Sequence, residues 1–412
     1  MLRIALVSLG ILLASCSNEE QPSTVTGANG SAIGEIPLAL DPVLDTPVRG
    51  IMVGYLNQIE TDYDALASEL NNFENRVGEF LDDPQTSTMN AMRSGWLNAH
   101  SSYELTTLHR YFADLILTEE DSLALYQLQY QMNHWPILPG YVDYVAGYAD
   151  SGIVNDINVS LDIPTLQQQH GAFDLAEASL GFHVLEFLVW GENLNRQSER
   201  PASDYFVITE LNSAEIEGGM ELEQLSNNRR RQMLVLNTQS LIADFNKSRE
   251  IWSLGSENLR TNLTDMNSTE IVIVLLEAMT GMLTEEMLVR SLYPLLNGEY
   301  GESIQSPYSS STQNAVSAQL SSVERLLLET TTDGGGSLDT VLVALSNDFE
   351  EFFYQNFDAS KECLVLLYST LEIPEDTNVT AEAEFETVEC INLLTNMIDN
   401  IEQIKITLSN PI

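Results

Sequence analysis

Residues 46–84 read TPVRGIMVGYLNQIETDYDALASELNNFENRVGEFLDDP. Ile51, Tyr55, Ile59, Tyr63, Leu66, Leu70, Phe73, Val77 and Phe80 recur every three or four positions. That spacing draws one apolar stripe down a long helix. Thr46-Pro47 reads as its start and Asp82-Asp83-Pro84 as its stop, because proline forces the residue before it out of helical geometry. Met89, Met92, Trp96, Ala99, Tyr103 and Thr106 repeat the spacing after the stop. Two long helices around a tight break predict an antiparallel pair, the first half of a bundle.

Further helical periods are expected at 119–132, 173–191, 229–254, 268–296, 312–330, 338–356, 360–371 and 382–408. No stretch alternates polar and apolar residues between hairpin turns, so the predicted class is all-α. Polar, aperiodic stretches fall at 195–226 and 297–311, and the first is the best candidate for a boundary between two helical bundles. The expected division is 46–210 and 211–412. Asp333-Gly334-Gly335-Gly336 reads as a connector rather than a phosphate loop, because no strand precedes it and no Gly-Lys-Ser/Thr follows.

The N-terminus reads as an address. Arg3, the short apolar run Ile4–Leu13 and then Leu13-Ala14-Ser15-Cys16 resemble a bacterial lipoprotein signal, with residues 1–15 removed. Cys16 would carry the lipid, and two or more acyl chains hold a protein stably on a bilayer. Ser17 in place of Asp points to the outer membrane by the usual sorting pattern. Residues 16–45, rich in Ser, Gly, Asn and Glu at first, would be a flexible tether. Cys363 and Cys390 remain, and in an oxidising periplasm such a pair is expected to be bonded. The bond would staple a helical hairpin and constrain the unfolded chain by about 3–4 kcal/mol.

The chain carries 17 basic and 61 acidic residues, a net charge of −44. Such a field repels nucleic acid and anionic lipid and draws in cations. At 44% hydrophobic residues the chain has ample material for a core.

One segment concentrates the chemistry. Between Leu180 and Gly191 the only non-apolar residues besides glycine are His183 and Glu186. A helix apolar on every side is buried, and a buried carboxylate needs a proton, a cation or a metal. Three residues apart, the two side chains share a face and can act on one object. Imidazole with carboxylate suits a transition-metal ion, and a closed His–Glu pair organising a helix interface is the other reading. His100 and Glu104, four apart, could add ligands or form a surface pair. His109 falls on another part of that helix, while His134 and His170 sit at helix ends. Arg229-Arg230-Arg231 stands out in so acidic a chain, as a reply to local carboxylates or as an anion or interface clamp. His-Glu-x-x-His, Gly-x-Ser-x-Gly and Cys-x-x-Cys are all absent.

Gly181-Phe182-His183-Val184-Leu185-Glu186, with Trp190-Gly191 trailing, resembles the Gly-x-His-x-x-Glu signature of the imelysin-like family. Other blocks agree in order: Trp96 to Arg110, Trp135-Pro136 with Asp143-Tyr144, Arg200-Pro201 to Asp204, and Arg229-Arg230 with Leu234 and Trp252. Thr280-Gly281 with Arg290, then Glu302 through Tyr308-Ser309 to Thr312, complete a resemblance over roughly residues 48–330. It implies a two-domain, all-helical fold of the imelysin-like type with a site near His183 and Glu186 facing the domain interface. Arg110, Arg229, Arg230 and Arg290 would serve that interface or an anion. The family is classed as metallopeptidases and also linked to iron acquisition, and its members are usually envelope proteins. Thr107, Leu138, Val289 and Ser310 stand where the family pattern has acidic residues. These losses argue for altered metal binding, or none, and weaken the peptidase reading. The buried His183/Glu186 pair, the family link and the tether make the leading expectation a lipid-anchored protein that handles iron or another transition metal, directly or with an envelope uptake partner. A metallopeptidase with Glu186 as its catalytic carboxylate and a non-catalytic interaction protein are the alternatives.

Overall fold

The computed structural model describes residues 40–193, 198–262, 265–329, 336–346, 349–371 and 381–409. The expected leader 1–15, the lipidation site Cys16, the tether up to residue 39 and the Asp333–Gly335 connector lie outside the described residues.

Helix α1 runs Pro42–Asp82, about 60 Å at the usual rise of a helix. It begins four residues before the expected Thr46-Pro47 start. The Asp41 side chain caps it by accepting from the Val43 N–H at 3.0 Å, and Pro42 takes the first turn, where no N–H is needed. Residues 42–45 therefore belong to the helix and not to a tether. The antiparallel partner α2, Thr86–Glu104, follows after the predicted break. Then come α3 (Thr107–Ile116), α4 (Glu119–Asn133) and the short α5 (Pro139–Val142) and α6 (Ile163–Gln169).

The expected helix 173–191 is corrected to α7, Phe182–Trp190. Its predicted first half is turn and loop, because Gly181 sits at φ 104° and its N–H is taken by the Asn237 side chain at 2.8 Å. A short α8 (Ser213–Glu217) precedes α9, Ser226–Asn262, which overruns its predicted ends. Helix α10 (Ser268–Met282) passes without a break into a π-helical stretch, Leu283–Leu292, and then α11 (Tyr293–Leu296). After α12 (Tyr300–Ser303) come α13 (Thr312–Leu328) and α14 (Leu338–Leu345). The expected helix 338–356 is thereby divided, since its second half joins 360–371 in one helix, α15 (Phe349–Leu371). The hairpin closes with α16 (Ala381–Ser409), and the expected Cys363–Cys390 disulfide ties α15 to α16. Among the described residues there are no strands, only one isolated bridge between Val145 and Tyr148. None of the described helices is long and apolar enough to cross a membrane.

Two apolar clusters form. One gathers apolar residues from Leu66 to Phe80 of α1, Met89 to Tyr103 of α2, every apolar residue of α7 and Met233 to Phe245 of α9. The other gathers Val48 to Ile59 of α1 with α3, α10, the π stretch and α13 to α16. Both cores thus draw on α1, so a division of the chain at 210/211 does not coincide with the division between cores. The seam between them is crossed by buried polar groups, and there the candidate site lies.

Candidate functional site

Helix α7 is apolar all round and buried throughout. Its start is fixed from three sides. The Asn237 side chain holds the Gly181 N–H and the Ser179 carbonyl, both at 2.8 Å, and Trp96 Nε1 donates to the Phe182 carbonyl at 2.9 Å. A Cβ on Gly181 would come within 2.6 Å of the Gln131 and Met132 carbonyls. The glycine of the motif is therefore required both by its left-handed φ and by the close approach of α4.

Glu186 Oε1 accepts from the backbone N–H and the hydroxyl of Ser309, each at 2.7 Å. Glu186 Oε2 lies 3.0 Å from His183 Nδ1. Burial pushes the Glu186 carboxyl up to about 7 against the opposing pull of Ser309. Burial, and then the neighbouring His100, hold His183 well below the usual histidine range. His183 is therefore a neutral imidazole, and its other nitrogen, Nε2, is buried without a hydrogen-bond partner.

The second pair is also in this place. His100 and Glu104 were open to a surface reading, but the helices packed on both sides of α2 leave them 2% and 0% exposed. The His100 ring stacks on Trp96 at 4.7 Å and meets the His183 ring edge-on at 5.1 Å. His100 Nε2 is buried 3.3 Å from Glu104 Oε1, at ion-pair distance though outside hydrogen-bond geometry. Glu104 is saturated. Its Oε1 accepts from Asn133 and Gln305 and its Oε2 from Gln319, all at 2.7 Å, with Thr107 Oγ1 at 3.1 Å. Burial opposes this charge, yet His100, Arg110 and Gln319 beside it hold the carboxyl below its ordinary range. Glu104 joins α2, α3, α4 and α13 and locks the seam between the cores.

Thr107, one of the departures from the family pattern, serves this lock and also accepts from Arg110 at 2.9 Å. Leu138 and Val289 are exposed, and Ser310 takes a left-handed φ of 54° beside Ser309. Arg229 spends its guanidinium on the carbonyls of Ile153, Val154, Asp156 and Val159. Arg230 holds the buried Asp143, with Nε–Oδ2 at 2.5 Å. Both fasten the 143–159 loop to α9. Arg290 lies over the Trp135 ring at 4.7 Å in a cleft near the seam. His109 belongs to a separate buried network, with its ring nitrogens 3.0 Å from Tyr55 and 2.9 Å from Asp62.

The sequence did not signal Ser309, Gln305, Gln319 or Asn133 as partners of the two carboxylates. Each comes from a distant segment, and only the fold brings it in. Among the described residues no three His, Cys, Asp or Glu side chains form a group with metal-ligand spacing.

The molecule is thus an all-helical protein with two cores and a buried His–Glu site at their seam. It belongs to the Imelysin family (peptidase family M75), whose profile matches residues 59–407. Among solved structures it resembles an iron-regulated protein A precursor from Parabacteroides distasonis, with a TM-score of 0.59 and 12% identity over 92% of this chain and 100% of that one. An imelysin-like protein from Psychrobacter arcticum superposes with a TM-score of 0.53 and 15% identity, covering 88% of this chain and 95% of that one. At these identities the likeness is one of fold. No curated protein matches the chain.

Proposed function

We propose that this chain is a lipid-anchored envelope protein that binds a transition metal, iron above others, at the imidazoles of His183 and His100, and hands it to an uptake partner. The observation that carries this is the buried Nε2 of His183, which has no hydrogen-bond partner, with the His100 ring centred 5.1 Å away. Buried polar atoms are almost always satisfied, so an orphaned imidazole nitrogen beside a second imidazole asks for a ligand. The His183 ring is held from behind by Glu186, the arrangement that orients metal-binding imidazoles generally. Iron is favoured because one similar structure is described as an iron-regulated protein. Envelope placement rests on the Leu13-Ala14-Ser15-Cys16 segment, and the net charge of −44 concentrates cations around the chain.

Catalysis at Glu186 has less support. Its carboxyl is engaged by Ser309 and His183 and is fully buried, and a general base must reach a water or a substrate.

Calorimetric titration and elemental analysis of tag-free protein test the proposal. Wild type is expected to take up about one equivalent of Fe(II) or a substitute ion, and His183→Ala to bind about 10–100-fold more weakly. Equal, negligible metal in both proteins would overturn it.

A further inference from the structure

A second cavity near the seam is lined by neither of those imidazoles. It is a cleft of about 610 Å³ walled by α3, α4 and the π-helical stretch, within the size range of small-molecule sites. Its charges add up to an excess of carboxylate. Asp114, Glu285 and Glu286 line it, against Arg110 and Arg290 and no lysine. Each guanidinium is already matched: Arg290 lies 3.1 Å from Glu286, and Arg110 lies 4.0 Å from Glu104, which stands outside the lining. Burial holds His134 at about 4, so it adds no positive charge at neutral pH. Setting these pairs aside leaves the charges of Asp114 and Glu285, both solvent-exposed, as the surplus of the cleft.

An independent observation gives the same sign. Asn133 lines the cleft at 8% exposure, and its Nδ2 is committed to Glu104 at 2.7 Å. The free end of the amide is therefore Oδ1, a buried acceptor without a hydrogen-bond partner. Buried acceptors are almost always satisfied, so this one asks for a donor from an occupant. The Trp135 indole N–H is also unpartnered, but it is neutral and leaves the sign to the carboxylates.

The rings suit a cation as well. Both of the protein's own cations in the cleft rest on ring faces, Arg290 over Trp135 and Arg110 over Tyr103, each at 4.7 Å. Among the described residues no cation covers Tyr111, Tyr126 or Tyr130, which also line the cleft. The face of a tyrosine ring attracts positive charge, more strongly where water is excluded. Two of these rings are seated in advance. A Cβ on Gly281 would fall 3.1 Å from the Tyr111 ring, and one on Gly171 would collide with the Tyr130 hydroxyl. Walls fixed before binding spare the ligand the entropy of ordering them. Tyr126 stands 65% exposed at the rim.

We propose that this cleft binds an organic ammonium ion, an aliphatic diamine or triamine. Its charges answer the surplus carboxylates, an N–H answers Asn133 Oδ1, and its methylene chain lies along the tyrosine faces. A bare metal ion would leave the rings unused, and a quaternary ammonium has no N–H to give.

The test is calorimetry of tag-free protein at about 150 mM salt, where the general field of the chain is screened. The probes are putrescine and spermidine, with butanediol, tetramethylammonium and acetyl-lysine methylamide alongside. At least one of the two amines is expected to bind at about one equivalent, and more tightly than any of the other three. Tyr126→Ala and Glu285→Gln are expected to weaken that binding about 3–10-fold. Both side chains are exposed, so the fold survives their loss, and melting of each variant checks this. Glu217→Gln, the same change of charge on α8 outside the cleft, is expected to leave binding unchanged. The proposal is overturned if neither amine binds, or if butanediol, tetramethylammonium or the lysine derivative binds as tightly. It is equally overturned if Glu217→Gln weakens binding as much as Glu285→Gln, since the amine would then sense only the overall charge. His183→Ala is expected to bind amine as wild type does, and metal uptake is read separately, so either proposal can fail alone.

Discussion

Of the three buried histidine–carboxylate pairs among the described residues, those of His109 and His183 differ in one respect. In the first, His109 is engaged at both ring nitrogens, by the Tyr55 hydroxyl at Nδ1 and by Asp62 at Nε2. Asp62 also accepts from Gln58 and is neutralised by Arg325. In the second, His183 is engaged only at Nδ1, and its Nε2 faces no partner. The closed pair ties α1, α3 and α13 together and has no capacity left over. The half-open pair keeps one donor atom in reserve. Residue types cannot tell these two cases apart, and the count of satisfied atoms can.

The largest consequence of the difference is in stability. His109→Ala takes a partner from both Asp62 and Tyr55 and leaves a cavity, though Asp62 keeps Gln58 and Arg325, and costs about 2–5 kcal/mol. His183→Ala takes one partner from Glu186, which keeps Ser309 and, raised by burial to about 7, is about half protonated at pH 7. Its cost is expected at about 1–3 kcal/mol, since a protonated carboxyl is cheaper to leave unpaired. Urea midpoints of the two variants check the order, and a larger loss in His183→Ala would erase the distinction.

Metal should act on one pair only. At a free concentration 100 times the dissociation constant, a ligand stabilises the native state by about 2.7 kcal/mol. Wild type and His109→Gln are expected to gain this in melting experiments, and His183→Ala only about 0.4–1.4 kcal/mol, as 10–100-fold weaker binding implies. A full gain in His183→Ala would place the metal elsewhere.

The smallest effect is the dependence on pH. Burial raises the Glu186 carboxyl to about 7, so the folded chain holds that proton more tightly than the unfolded chain does. The contribution is fully present below the ordinary carboxyl range and is lost as the pH rises to about 7. Each unit of separation is worth about 1.4 kcal/mol. His183, held low by burial, contributes the opposite trend, losing stability as the pH falls below the usual histidine range. Subtracting the melting of Glu186→Gln from that of wild type isolates the carboxyl. The difference is expected to favour wild type more at pH 5 than at pH 8, and a flat difference would show that Glu186 ionises normally.

Much of this architecture can be read in the sequence. The stripe from Ile51 to Phe80 and its repeat from Met89 to Tyr103 specify the antiparallel pair, because one face of each helix has to be buried. The motif helix was legible as buried and His183 and Glu186 as its unusual members. Its start was not, since Phe173 to Leu180 is apolar enough to pass for helix while Gly181 turns the chain at positive φ. The burial of His100 and Glu104 was hidden for a different reason. On α2 alone they are an ordinary i,i+4 pair, and Asn133, Gln305 and Gln319, which enclose Glu104, come from far along the chain. The π-helical stretch was likewise invisible, since its apolar spacing reads as a continuation of α10.

Nitrogen-15 NMR of the histidine rings, recorded with and without one equivalent of diamagnetic Zn(II), examines the open Nε2 atom by atom. The Nε2 resonance of His183 is expected to move to a metal-bound position while both nitrogens of His109 stay where they were. Unchanged His183 nitrogens at saturating metal would mean that the imidazole is sealed inside the scaffold and holds only Glu186.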